Sequence, residues 1–164
     1  LTDTDINKDL ELINTNIKAV HILTKFIAKE MEKRTTDTYI LNVASSAAFQ
    51  PGPLMSTYYA TKSYVYQLTE ALYYEQKKKK NNVHVSVLCP GPVDTNFNNV
   101  AGVKFGVKPL SSKYVAKYAI DKMFEKEMLI IPGFKMKCAK FFGRFVSDKS
   151  KLKMTYNIQK KKTS

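Results

Sequence analysis

YILNVASSAAFQPGPLMSTYYATKSYV, residues Tyr39 to Val65, decides how the rest of the chain is read. Tyr39-Ile40-Leu41-Asn42-Val43 is a short apolar run with β-branched and aromatic bias, which predicts a buried strand. It ends in Ala44-Ser45-Ser46, so two hydroxyls stand at the strand's carboxyl end. A Pro51-Gly52-Pro53 loop follows, and then a helix from Thr57 to Lys77 that carries Tyr58 and, one turn on, Lys62. In open α/β sheets, ligands sit outside the carboxyl ends of the strands. A serine at that end, with a tyrosine and a lysine on the next helix, is a constellation suited to proton transfer.

Working outward, residues 5–33 carry Leu10, Ile13, Ile17, Val20, Leu23, Ile27 and Met31 at three- and four-residue steps, the amphipathic helix period. Asp3 or Asp5 can cap this helix, and Asn14-Thr15-Asn16 is a weak point in it. Asn16 lies beside the apolar stripe, either as a polar residue at its edge or as an amide that needs a partner. His21 is read as a boundary residue. Downstream, Val83 to Leu88 is a second strand, stopped by Cys89-Pro90-Gly91-Pro92. His84 alternates away from its valines. Asp94 to Pro109 is a long loop with Gly102 and Gly106. Ser111 to Lys126 is a helix, Met128 to Ile131 a short strand, and Phe134 to Val146 interleaves aromatics with Lys and Arg. The alternation of helix and strand predicts an α/β fold with a parallel sheet of about three strands and flanking helices. The expected organisation is one unit over 1–146 followed by a basic tail, 147–164.

Hydrophobic content of 44% and aromatic content of 12% are globular values. The first residue is Leu, not Met, which leads to the expectation that the front of the protein is missing. No charged-then-apolar leader opens the chain, and Cys89 and Cys138 read as reduced thiols, so a cytoplasmic protein is expected. Two Cys and two His without ligand spacing give no metal site. The net charge of +13 gathers at Lys77 to Lys80 and in the C-terminal segment. No zinc-finger or RNP-type motif accompanies it, so nucleic acid is not an expected partner. Phe and Met among Lys and Arg over 134–162 suit either a weak contact with a membrane surface or a terminal helix packed on the sheet or on a second subunit.

Tyr58 and Lys62 share one helix face. An ammonium near a phenol favours tyrosinate, and a phenol so tuned gives a proton to a carbonyl oxygen or takes one from an alcohol. Ser45 can hold the same oxygen. With no thiol or imidazole base, these groups fit proton transfer coupled to hydride transfer better than acyl or phosphoryl transfer. No side chain donates hydride, so a nicotinamide would supply it. The same Tyr-Lys spacing also occurs on ordinary surface helices.

Asn42, Ser45, Tyr58 and Lys62 fall on N-x-x-S followed thirteen residues later by Y-x-x-x-K. The segment closely resembles the active-site segment of short-chain dehydrogenases/reductases, and the resemblance extends over almost the whole chain. It implies a partial Rossmann-like, doubly wound parallel sheet. It also implies NAD(P)-dependent interconversion of a small-molecule carbonyl and alcohol. It makes Ser45, Tyr58 and Lys62 the catalytic residues, and Asn16 the helix asparagine that completes a proton relay with Lys62. It makes Asn42 structural. Cys89-Pro90-Gly91-Pro92-Val93-Asp94-Thr95 looks like the P-G-x-V-x-T turn around the nicotinamide. Pro90, Gly91, Val93 and Thr95 are therefore the implied cofactor contacts, with Tyr58 and Lys62. The Ala47–Thr57 loop and the stretch from Asn96 to Pro109 are the implied substrate walls, and helix 57–77 an implied homodimer face.

One departure matters. The family opens with a strand and a T-G-x-x-x-G-x-G turn whose helix receives the pyrophosphate. This sequence has no such glycine-rich loop, so it reads as the C-terminal half of such an enzyme. A non-catalytic remnant or an interaction protein on the same half-fold is the alternative. The choice between NAD and NADP is not readable, because the residues that make it lie in the absent half.

Overall fold

A computed structural model of the chain describes residues 1–95 and 108–163. The strands are β1 (Thr38–Val43), β2 (Val83–Leu88), β3 (Val93–Asp94), β4 (Leu110–Ser111) and β5 (Leu129–Ile130). The helices are α1 (Ile6–Ile13), α2 (Val20–Met31), α3 (Ser56–Lys79), α4 (Ser112–Phe124), α5 (Phe134–Gly143) and α6 (Asp148–Thr163). β1, β2 and β5 form one parallel sheet in that order, with β1 and β2 in register from Thr38 opposite Val83 to Val43 opposite Leu88. β3 and β4 make a separate two-stranded parallel pair, which no sequence period announced because each strand is two residues long. The expected architecture is present: an α/β fold with a three-stranded parallel sheet and flanking helices.

Side-chain alternation along the strands sorts the core into two layers. Ile40, Ala44, Val85, Val87 and Cys89 face α2 and α3, where they meet Ala28 and Val65. Tyr39, Leu41 and Leu88 face α4, against Val115, Ala119 and Met123. Helices therefore cover both sheet faces, which a parallel sheet requires. β1 is an edge strand: among the described residues no strand pairs with its outer side.

The first helix departs from expectation. α1 and α2 are joined by a π-helical segment, Asn14–Ala19, at the predicted weak point. Asp5 supplies the cap, accepting from the Asn7 N–H at 2.9 Å. The apolar stripe read from the sequence is only partly the buried face: Val20 and Met31 pack against the core. Thr24 and Ala28 are buried, while Leu10, Ile13, Leu23 and Ile27 are exposed, Leu23 at 59%. Each α-helical residue advances about 100°. A π turn that takes up extra residues therefore rotates the following helix, and a stripe drawn for one unbroken period loses its phase. The face so exposed lies on the helix that packs on β1 and α3, with Phe26 also turned outward.

Within the basic segment that ends the chain, Asp148–Thr163 is a helix, α6. α6 returns to the loop before α3, where the Gln50 Nε2 donates to Thr155 Oγ1 at 3.0 Å and Gln159 donates its Nε2 to the Tyr59 hydroxyl.

Candidate functional site

The carboxyl ends of β1 and β2 lie side by side and position the first part of the site. The ladder runs past the strands: the Ala44 N–H donates to Leu88 O and the Ser46 N–H to Pro90 O, both at 2.8 Å. Ser45 is thereby set next to the Cys89-Pro90-Gly91 turn. Its Oγ accepts from the Ala47 N–H at 3.1 Å, capping a 3₁₀ turn, Ser46–Phe49. That turn and the Pro51-Gly52-Pro53 loop bring the chain back to α3, where Tyr58 hydrogen-bonds the Ser45 side chain. Two residues thirteen apart in sequence thus meet because the strand end and the first turn of α3 are fixed to one another.

Lys62, one turn along, is half-buried. Its Nζ donates to Val43 O at 3.2 Å and lies 5.9 Å from the centroid of the Tyr58 ring. The expected tuning of the phenol is not what the electrostatics show. Burial pushes Tyr58 above the ordinary phenol value, and the hydrogen bond with Ser45 offsets only part of that. Burial also lowers Lys62. The ammonium donates to the Val43 carbonyl and lies over the Tyr58 ring, and desolvation decides the direction.

Asn16 sits in the π-helical segment, and such bulges are frequent at functional sites. Its amide has a partner, Nδ2 donating to Thr61 Oγ1 at 3.1 Å. Thr61 donates in turn to Tyr58 O at 2.8 Å. The structure therefore links Asn16 to the first turn of α3 through Thr61. Sequence reading missed Thr61. Its signal was the spacing of Thr61, Val65, Thr69 and Gln76, the buried stripe of α3, which is mostly polar. His21 also has a partner that was not foreseen: Nδ1 lies 2.6 Å from the Tyr64 hydroxyl. His84 contacts Asp37 at 2.8 Å, and Lys126 takes the other oxygen of the same carboxylate.

Asn42 is the structural residue expected. Its Oδ1 accepts from Thr24 at 3.1 Å and its Nδ2 donates to Thr69 at 2.9 Å, all three residues being buried. One amide thus ties α2, β1 and α3 together, three residues before Ser45. Cys89 is buried beneath the site, its thiol pushed up to about 12 by burial.

Pro90 and Gly91 continue from β2, Val93 is held in the β3–β4 pair, and Thr95 is exposed at the end of the described segment. Gly91 has no room for a side chain: a Cβ there would lie 2.8 Å from Met136 of α5. Residues 96–107 lie outside the described residues, and with them Gly102, Gly106 and most of the Asn96–Pro109 wall. An open groove of about 590 Å³ runs along the other expected wall, lined by Phe49, Gln50, Pro53, Tyr59, Ser63 and Leu152 among others. It lies on the Tyr59 side of α3 and is lined by neither Ser45 nor Tyr58, so it is separate from the hydroxyl cluster. Among the described residues no group of His, Cys, Asp and Glu is placed to hold a metal.

Comparison with known proteins gives the family of the chain. The family model for short chain dehydrogenase matches residues 1–103. Mouse 17-beta-hydroxysteroid dehydrogenase type 3 is 39% identical over 84 residues, 51% of this chain and 27% of that protein. Human dehydrogenase/reductase SDR family member 4 is 35% identical over 88 residues, 54% of this chain and 31% of that protein. Among solved structures, a short-chain dehydrogenase from Sphingobium yanoikuyae in complex with NADPH superposes with a TM-score of 0.76 at 22% identity. That match covers 88% of this chain and 56% of the other. One from Burkholderia phymatum in complex with NAD gives 0.77 at 21%, covering 88% and 60%. The chain thus spans 56–60% of the length of these structures, and its matched segments span under a third of the curated relatives. With the family model covering more than half of its residues and the fold shared along most of its length, this chain belongs to the short-chain dehydrogenase family.

Proposed function

We propose that this chain is the proton-handling half of an NAD(P)-dependent oxidoreductase that interconverts a small-molecule carbonyl and an alcohol. The observation that carries the reading is the hydrogen bond between Ser45 and Tyr58 at the carboxyl end of β1, with Lys62 one turn away. Tyr58 gives its proton to the carbonyl oxygen in reduction and takes it from the hydroxyl in oxidation. Ser45 donates a hydrogen bond to the same oxygen and holds it within reach of the phenol. Lys62 supplies positive charge beside the ring and stabilises the phenolate left after proton donation. Asn16, through Thr61, fixes the turn that carries Tyr58.

The residues present fit one end of a dinucleotide. Hydroxyl and ammonium donors gather at the strand ends beside the Pro90-Gly91 turn, a donor set suited to a nicotinamide riboside. Tyr58, Lys62, Pro90, Gly91, Val93 and Thr95 would hold that end. The cofactor, NAD or NADP, supplies the hydride. No glycine-rich phosphate loop is present in the sequence to hold the pyrophosphate.

That gap, the open outer edge of β1 and the exposed apolar face of α1–α2 support a further reading: the working enzyme includes a preceding half-domain that pairs with β1. The outward side of α3, with small residues Ala60 and Ala71 exposed beside Tyr74, supports a homodimer contact through helix 57–77. The same missing loop favours the second reading, a non-catalytic remnant or interaction protein. The test is the reading frame upstream of Leu1, expressed with this chain and assayed for NAD(P)H-dependent reduction of a carbonyl panel. An in-frame strand and T-G-x-x-x-G-x-G turn, with turnover that Ser45→Ala lowers, support the enzyme. An unrelated upstream sequence and no cofactor binding refute it.

A further inference from the structure

We propose that the C-terminal helices form an interfacial docking surface for an anionic lipid bilayer, separate from the hydroxyl cluster and independent of the function proposed above. Two observations carry it. On α5, Met136 and Lys140 turn inward, whereas Phe134, Phe141, Phe142 and Phe145 are exposed, Phe134 at 81% and Phe145 at 74%. Phe134, Phe141 and Phe145 are spaced on one face of the helix and its following turn. Phe141 packs edge-on against Phe142 and Phe145, at 5.3 and 5.9 Å between ring centroids, so three of these rings form one continuous patch.

The second observation concerns α6, which is inverted. It buries two polar residues, Thr155 and Gln159, each at 1% exposure, against Gln50 of the loop before α3 and Tyr59 of α3. It turns Met154, Tyr156 and Ile158 outward. A helix that spends polar side chains on its own domain and displays apolar ones needs a covering for the displayed side.

Charge selects the occupant. From Phe134 to Ser164 the sequence has ten Lys and Arg against one acid, Asp148, a net of +9 within a chain of +13. Lys135, Lys137 and Arg144 are exposed among the phenylalanines, and the Arg144 guanidinium lies 5.4 Å from the Phe141 ring centroid. A second copy of the chain would bring this charge against its like, which opposes self-association through the same face. A bilayer carrying anionic headgroups meets both requirements. Its headgroups take the lysines, while its acyl boundary takes the phenylalanines to a depth that basic side chains can span by extending outward. No helix among the described residues is long and apolar enough to cross a membrane, so the contact is interfacial.

Flotation of the full chain with phosphatidylcholine vesicles containing about one-third phosphatidylserine tests the proposal. The chain is expected to float with these vesicles at low salt and largely to leave them at about 0.5 M salt. Phe134→Ser/Phe141→Ser/Phe145→Ser should weaken partitioning at least about tenfold. These side chains are mostly exposed, so far-UV circular dichroism and the melting transition should stay unchanged. Lys135→Glu/Lys137→Glu should reduce binding and its salt dependence together. Absence of binding to the anionic vesicles overturns the proposal. So does salt-sensitive binding that the triple Phe variant leaves untouched, which would mean surface charge alone. Concentration-dependent self-association that the triple Phe variant abolishes also overturns it, in favour of a second copy.

Discussion

Asn42→Leu should cost this chain about 3–5 kcal/mol, because one buried amide serves three elements. In the native protein the Thr24 hydroxyl donates to Asn42 Oδ1 and the Asn42 Nδ2 donates to Thr69 Oγ1. The Thr69 hydroxyl donates its own hydrogen bond to Val65 O at 2.6 Å. Leucine has similar volume but neither group. Two hydrogen bonds, each worth about 1 kcal/mol net, disappear, and the Thr24 hydroxyl is left buried without its acceptor, a further penalty of about 1–3 kcal/mol. Thr69 keeps its bond to Val65 and loses only a donor, which is the milder loss. Urea unfolding followed by circular dichroism reads the result as a lower midpoint with an unchanged slope. A cycle with Thr24→Val separates the contributions: once the orphaned hydroxyl is gone, Asn42→Leu should cost about 1–2 kcal/mol less than it does alone. A cost below about 0.5 kcal/mol, or additive effects of the two changes, would refute the claim that this amide clamps α2, β1 and α3.

Three further outcomes follow from the geometry. Gly52 backs onto the Tyr59 ring, where an added Cβ would fall 2.1 Å from Cγ, so Gly52→Ala should destabilise by about 1–3 kcal/mol in the same urea assay and shift the loop that leads to Tyr58. Asp37 is held at about 2 by the Lys126 and His84 hydrogen bonds. A depressed carboxylate adds stability above its unfolded value of about 3.9 that is lost as pH falls toward 2, so the melting difference between wild type and Asp37→Asn should narrow through that window and vanish below it. Burial raises Tyr58, so without cofactor its proton should be retained above the ordinary phenol value of about 10. An ultraviolet titration compared with Tyr58→Phe should show a late-titrating phenol, and a difference spectrum midpoint below 9 would contradict it.

How much was legible in the sequence depends on the range of each interaction. β1, β2 and α3 were readable because each is a local pattern several residues long with punctuation at its ends. The weak point at Asn14–Asn16 was readable too, since Asn and Thr favour non-helical hydrogen bonds. Its consequence was not. An added residue in one turn rotates everything after it, so Leu23 and Ile27 turned outward although their spacing was right. Contacts made across many residues left little trace: Asn16 to Thr61, His21 to Tyr64 and Gln159 to Tyr59 join positions 43 to 100 residues apart. A terminal helix was expected as one possibility, but not which side of α6 faces inward, because that side carries Thr155 and Gln159, which a hydrophobic pattern does not count. The meeting of Ser45 and Tyr58 was anticipated by family spacing, but the charge state was not. Desolvation outweighed the nearby ammonium, and that balance depends on where the Lys62 Nζ points rather than on its place in the sequence.

The central claim is that Tyr58 moves the proton in a carbonyl–alcohol interconversion. The direct measurement is kcat/KM for NAD(P)H-dependent carbonyl reduction by the protein expressed with its upstream half, in wild type and Tyr58→Phe, alongside nicotinamide binding by fluorescence. The account predicts a loss of about 10²–10⁴-fold in kcat/KM with cofactor affinity changed by less than about tenfold. Retention of wild-type turnover by Tyr58→Phe would contradict it.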